Sequence, residues 1–366
     1  MYGPSRRTVL AATGAAGLGG LLAAPVAAAG HRKERVGYLG GYAEAGLTVV
    51  TRPPRGPELT AERTVAVPDA SWLVRHRNTL YVTNERVPEG SVTALDVRDP
   101  RRPTVLGSRP TLGGAPTHLA VHPGGRHLLT ANYADGSVVV HPIRDDGGLG
   151  EATDLVRHTG EDRQAHAHQV LPDPSGRWVL AVDLGADSVY VYRLDPRRGR
   201  LAERDRLRLP PGAGPRHLAF HPNGRVAYVL GELRPEITVA RWDAACGRLT
   251  PVATVPTVPD DVAGPQYPAE ILVSADGRFC YATNRGEDTI VTFAVAGGGT
   301  RLTRLGSVPT GGVWPRHFAL DATGGWFHVA NQRSGTVTWL PRDRRTGLPG
   351  QPAGTLPLPS AAFVAV

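Results

Sequence analysis

The sequence predicts an all-β fold: a seven-bladed β-propeller with four antiparallel strands per blade, its first blade closed by the C-terminal strand. Three observations carry this. Long segments repeat one another, a polar or glycine residue recurs seven times at near-even spacing, and each chain end supplies what the other lacks. The segments "APTHLAVHPGGRHLLTANYADGSVVVHPI" from Ala115, "HAHQVLPDPSGRWVLAVDLGADSVYVYRL" from His166 and "GPRHLAFHPNGRVAYVLGELRPEITVARW" from Gly214 share one pattern, repeated again from Tyr267 and Trp314. An apolar run, a P-x-G-R type turn, a second apolar run, a polar break and a third alternating run follow one another. Val, Tyr, Phe and Trp fill the runs, and Gly, Pro, Asn and Asp fill the breaks, so these are strands and hairpins.

The residue closing the second run falls at Gly40, Asn84, Asn132, Asp183, Gly231, Asn284 and Asn331, at spacings of 44, 48, 51, 48, 53 and 47. A fourth run sits between units in "TVAVPD", "VLGSRPT", "LVRHTG", "RLRLPP", "ATVPTV", "GSVPTG" and "GTLPLP". Four short strands per unit of this length are the pattern of propeller blades. The first unit begins at "VGYLGGY", already a second-strand segment, while "SAAFVAV" ends the chain where another opening strand falls due. The last strand therefore completes the first blade and removes the free edges of an open array.

Ahead of the repeats, Arg6 and Arg7 in "SRRTVL" precede an uncharged run from Thr8 to Gly30 that ends in "AAPVAAAG". The pattern resembles a twin-arginine signal with a small-residue cleavage site. We expect residues 1–29 to be a signal peptide and residues 30–366 a single propeller domain. The protein would be secreted or in the cell envelope, exported by the twin-arginine route and without a membrane span once cleaved. A transmembrane anchor is the alternative, but so much Ala and Gly makes a weak spanning helix.

The net charge of +8 comes from arginine, for Lys33 is the one lysine. The arginines are scattered through turns and loops with no basic helix or block, which argues against nucleic acid as a partner. Cys246 and Cys280 fall in different repeats, so unpaired thiols are expected, though one bridge remains an alternative. A monomer is expected.

With "YVTN" at Tyr81 to Asn84, the chain resembles the seven-bladed lactonase propellers, a family that includes 6-phosphogluconolactonase and the carboxy-cis,cis-muconate lactonising enzyme. It is also similar to the YVTN repeat propellers of cell surfaces. The resemblance implies a lactonase-type hydrolase acting on a small lactone, with no cofactor and no metal.

Topology sorts the polar residues independently. In a four-stranded meander the start of strand one and the end of strand two share a face, and the first hairpin turn lies on the other. His122 and His221, in the "HP-x-G-R" turns, are therefore read as turn residues. Entering the first strand come Thr117, His168, Arg216, Ala269 and Arg316; the next slot holds His118, Gln169, His217, Glu270 and His317. Following the second strand come Glu85, Tyr133, Leu184, Glu232, Arg285 and Gln332. The recurrence of His118, His217 and His317 favours bonds between blades, with a three-histidine metal site as the sharper alternative. Strand alternation would turn some of these side chains away from the axis.

His168, Arg216, Glu232 and Arg285 break their slots' patterns and lie in three successive units. On resemblance they match residues implicated in the muconate enzyme's active site, with Gly231 departing from the more usual asparagine beside the glutamate. Lactone opening needs a base and fixed positive donors. His168 is the favoured acid or base; Glu232, between two arginines, would be held ionised and could instead orient the histidine or a water. Arg216 and Arg285 could grip an anionic group and the developing oxyanion. Arg316, His217, Glu270 and Thr117, from the same slots, are the expected substrate contacts. Three other readings stay open: an Arg-Glu-Arg network that only ties blades together, a metal pair at His166 and His168, and a non-catalytic surface propeller binding a ligand or protein. A metal or quinone dehydrogenase would need ligands the sequence does not offer.

Overall fold

The computed structural model describes residues 34–42, 46–259 and 261–366. The twin-arginine stretch lies outside them. The predicted strands form seven four-stranded antiparallel sheets. Blade 1 pairs Arg35–Gly41, Gly46–Arg52 and Thr60–Ala66 with the C-terminal strand Ala361–Ala365, so the chain's last strand does close its first sheet. Blades 2 to 7 open at Leu73–His76, Pro116–Val121, Ala167–Pro172, Pro215–Phe220, Tyr267–Val273 and Pro315–Leu320.

Each strand's burial follows its place in the blade. Second strands such as Thr79–Asn84 and His127–Asn132 are buried along their whole length, because sheets pack against both of their faces. Fourth strands such as Thr60–Ala66 and Arg248–Pro256 are mostly exposed at the rim. The apolar core is divided into seven clusters, one at each junction between blades. At the blade 5 to 6 junction, for example, Tyr228, Leu230 and Val239 pack on Cys280, Ala282 and Phe293. At full burial each large side chain contributes about 1.5–3 kcal/mol. Cys280 is buried there, Cys246 is half-buried, and both thiols are free.

Two polar ties repeat around the ring. Second-strand tyrosines reach the hairpin of the next blade: Tyr38 donates to the Pro100 carbonyl at 2.9 Å, Tyr81 to Gly147 at 2.8 Å, Tyr228 to Gly299 at 2.7 Å and Tyr281 to Gly347 at 2.9 Å. The slot that closes the second strand supplies the other. Asn84, Asn132 and Asn284 donate Nδ2 to the carbonyls of Pro68, Thr111 and Thr257, which end the preceding blade. Blade 4 changes both partners at once: Asp183 Oδ2 meets His158 Nδ1 at 2.7 Å, and neither side chain reaches solvent. At Gly231 a Cβ would lie 2.4 Å from the Arg234 carbonyl and 2.9 Å from that of Ala213. The tight "ELRPE" loop thus fills with backbone the place where other blades put an asparagine.

His122 and His221 do cap their turns, accepting through Nδ1 from the amides of Gly124 and Asn223.

Candidate active site

The first strands of blades 3, 4, 5, 6 and 7 each carry one residue more than the strand they pair with. Pro116 faces Asn132 and His118 faces Ala131, which leaves Thr117 as the extra residue of a bulge. His168, Arg216 and Arg316 hold the same place in their blades, and blade 6 bulges between Pro268 and Ile271. A bulge breaks the alternation of side chains. Two neighbouring residues of one strand therefore both contribute to the central channel, which plain alternation does not allow.

The second residue of each bulge builds a floor. The ring of Trp72 from blade 2 lies 4.1 Å from that of His118, 5.4 Å from His217 and 5.1 Å from His317, centroid to centroid. Phe363 of the closing strand stacks on His317 at 4.0 Å. Bonds run from blade to blade as the recurrence of the slot suggested. Gln169 Oε1 accepts from the Leu218 amide at 2.7 Å, and His317 Nδ1 accepts from the Val364 amide at 3.3 Å. Between blades 5 and 6 a histidine–carboxylate pair replaces this tie: His217 Nδ1 sits 3.1 Å from both carboxylate oxygens of Glu270. Among the described residues no three His, Cys, Asp or Glu side chains gather as metal ligands. His118, His217 and His317 thus stand as packing and bonding partners, not as a triad around one point.

The extra residues His168, Arg216 and Arg316, with those that follow the second strands, build a charged cluster. Glu232 Oε2 lies 3.1 Å from Arg216 Nε and 2.9 Å from an Arg285 terminal nitrogen. Arg216 is 2% exposed and also donates to the Ala269 carbonyl. Arg285 donates through Nε to the Tyr267 carbonyl at 2.8 Å and lies over the ring of Trp314. On the other side Arg316 approaches Glu85 Oε2 at 3.6 Å, and the same oxygen accepts from the Tyr42 hydroxyl at 2.8 Å. His168 completes the circle, its ring 5.7 Å from that of Tyr133 and 5.0 Å from that of His217. The segment that carries it is anchored from below, since Asp183 Oδ1 accepts from the amides of His166 and Ala186, both at 2.8 Å. His166 in turn bonds the Tyr133 carbonyl at 2.7 Å and stacks on the Tyr133 ring.

All four expected catalytic residues therefore come together, joined by Arg316. His217 and Glu270 bond to each other in the floor, and Thr117 is buried, donating to the His168 carbonyl at 3.1 Å. Tyr42, Glu85 and Tyr133 were not singled out from the sequence. Glu85 and Tyr133 share the slot of Glu232 but lie in blades 2 and 3, outside the three successive units in which the pattern-breaking residues fall. Tyr42 lies in the first blade, which lacks the opening strand used to align the repeats.

Three guanidinium groups face two carboxylates in this cluster. Burial pushes Arg216 down to about 9, with Arg285 and Arg316 adding to the effect, so it stays charged at neutral pH. Burial, then Arg216, His217, Arg316 and Arg285, hold His168 well below the usual histidine range, so its imidazole is neutral. Burial also raises the Tyr42 hydroxyl, which remains a donor.

A closed seven-bladed ring that gathers a neutral histidine and several charged pairs defines a propeller with a cluster of the kind that marks functional sites. The sequence matches the family described as Lactonase, 7-bladed beta-propeller, over residues 36–366. It is 33% identical over 328 residues to a 6-phosphogluconolactonase of Bacillus subtilis, an alignment covering 85% of this chain and 92% of that one. Among solved structures it resembles a periplasmic gluconolactonase of Pseudomonas aeruginosa, at 30% identity and a TM-score of 0.85 over 90% of this chain and 98% of the other. A putative 6-phosphogluconolactonase of Bacteroides fragilis is similar at 25% identity and a TM-score of 0.84, over 92% of this chain and 98% of that one. The chain belongs to the seven-bladed β-propeller lactonase family, and is a lactonase-type hydrolase.

Proposed function

We propose that this protein is an exported lactonase that opens a small sugar-derived or carboxylated lactone at the channel mouth, with His168 as the proton-transfer residue. The observation that carries this is the meeting of neutral His168 with the Arg216–Glu232–Arg285 cluster and Arg316 in one place. Water attacks the lactone carbonyl carbon while His168 accepts its proton. Negative charge develops on the carbonyl oxygen, and a buried guanidinium stabilises it. Collapse breaks the ring C–O bond, and the proton returns from His168 to the departing alkoxide oxygen. The product hydroxy acid then ionises, releasing one proton. Glu232 holds Arg216 and Arg285 in place. The excess of arginine over carboxylate favours a substrate that carries its own negative charge.

The pattern of Arg6 and Arg7 supports export, as does the similarity to a periplasmic gluconolactonase. Changing both arginines to lysine should leave the protein in the cytoplasm; export undiminished in that variant would refute the route. For the chemistry, His168→Gln should lower kcat/KM by about 10²–10⁴, and Arg285→Ala by about 10²–10³, with the fold retained by circular dichroism. Hydrolysis unaffected by either change would remove the mouth from the reaction.

A further inference from the structure

The mechanism uses His168 but leaves the buried charge beneath it unexplained. Glu270 and His217 are both less than one-tenth exposed, and a buried carboxylate is a costly way to join two blades when Gln169 and His317 do it by accepting from backbone amides. Glu270 accepts from the Ile271 amide at 3.1 Å and meets His217 only at Nδ1. Its carboxylate therefore fixes the proton of His217 on Nδ1 and leaves Nε2 as an acceptor. That Nε2 is buried with no partner among the described residues, and so are Nδ1 of His168 and Nδ1 of His118. His217 adjoins both other rings, 5.0 Å from His168 and 5.7 Å from His118, centroid to centroid. Buried polar atoms that lack a protein partner are generally satisfied by ordered water, which needs two to four such partners.

We propose that Glu270 and His217 are a positioning pair that sets the tautomer of His168 through one bridging water. His217 Nε2 accepts one water hydrogen, His118 Nδ1 accepts the other, and the water oxygen accepts from Nδ1–H of His168. The proton of His168 is thereby held on Nδ1, and its Nε2 carries the lone pair that takes a proton from the attacking water. The relay runs Glu270, His217, water, His168, with no proton crossing it during turnover. It rests on the reading of His168 as the base, but its signature can be observed without substrate.

The test is nitrogen-15 NMR of the histidine rings in the mature protein near neutral pH, with His168 and His217 assigned by loss of their signals in His168→Gln and His217→Leu. Both residues should be Nδ1–H tautomers, against the Nε2–H form that free histidine prefers. In His217→Leu, which places an apolar side chain where blade 1 already has Phe363, His168 should lose its preference for Nδ1–H. Glu270→Leu should relax both rings. A His168 protonated on Nε2 in the wild type, or unchanged in both variants, would overturn the proposal; should either variant fail to fold, the wild-type tautomers alone decide. In kinetics, His217→Leu should lower kcat about a hundredfold or more with KM within about twofold, since a misplaced imidazole proton disables a base without loosening substrate. A wild type that turns over no lactone would sink the functional reading and still leave the tautomers to be read.

Discussion

Histidine carries two different jobs in this ring, and burial separates them. His118, His168 and His217 are held well below the usual histidine range by burial, and His317 is brought down to about 4 by burial, in part opposed by Glu270. A histidine with a depressed folded pKa leaves the unfolded chain binding the extra proton. Each therefore contributes its full stability above about pH 6.5 and loses it as the pH falls toward the folded value, at up to about 1.4 kcal/mol per pH unit. Glu270 works in the opposite sense: its pKa is raised, so its contribution is complete below the ordinary carboxylate range and fades as pH rises. We expect the melting temperature to drop steadily between about pH 6.5 and 4.5. A melting temperature flat across that window, followed by calorimetry, would mean these imidazoles are hydrated and not buried. From the sequence alone, His168, Arg216, Glu232 and Arg285 could be found because each interrupts a repeated slot. That His217 and Glu270 lie in the floor could not, because the bulge that turns two adjacent residues into one channel has no residue signature of its own.

At the level of the strand and its junctions, repetition gives the pattern and the exceptions point to the site. Asn84, Asn132 and Asn284 bond the end of the blade before them, whereas Asp183 and His158 replace that tie beneath the one blade that carries His168. Asp183 also accepts from His166 and Ala186, which fixes the approach of the "HAHQ" strand. Changing Asp183→Asn or His158→Thr alone leaves a buried group poorly matched and should cost about 1–3 kcal/mol. Making both changes restores the pairing of the neighbouring blades, so the double variant should be more stable than the sum of the singles predicts. Urea unfolding of the four proteins measures this coupling, and strict additivity would show that the pair does not act as a unit. Gly231 teaches the converse. Its departure from the asparagine pattern looked like a weakened match, yet the loop backbone occupies that space and Glu232 still reaches both arginines.

For the molecule as a whole, closure makes the site. Seven blades each contribute to one cluster, through Tyr42, Glu85, Tyr133, His168, Arg216 with Glu232, Arg285 and Arg316 in turn, and the pairing of Tyr38–Gly41 with Ala361–Ala365 holds the circle shut. Strand number, blade count and the closing strand were legible in the sequence because each blade repeats the same alternation of apolar runs and turns. Which side chains meet across the ring was legible only where aligned slots share a height; contacts such as Tyr42 with Glu85 join blades whose alignment is weakest. We propose that this shared cluster hydrolyses an anionic lactone. Proton release by the mature protein should be followed on glucono-, 6-phosphoglucono- and muconolactone, with His168→Gln beside it. Turnover should favour the negatively charged lactones and fall by about 10²–10⁴ in the variant. A flat trace on all three, or equal rates in the variant, would contradict it.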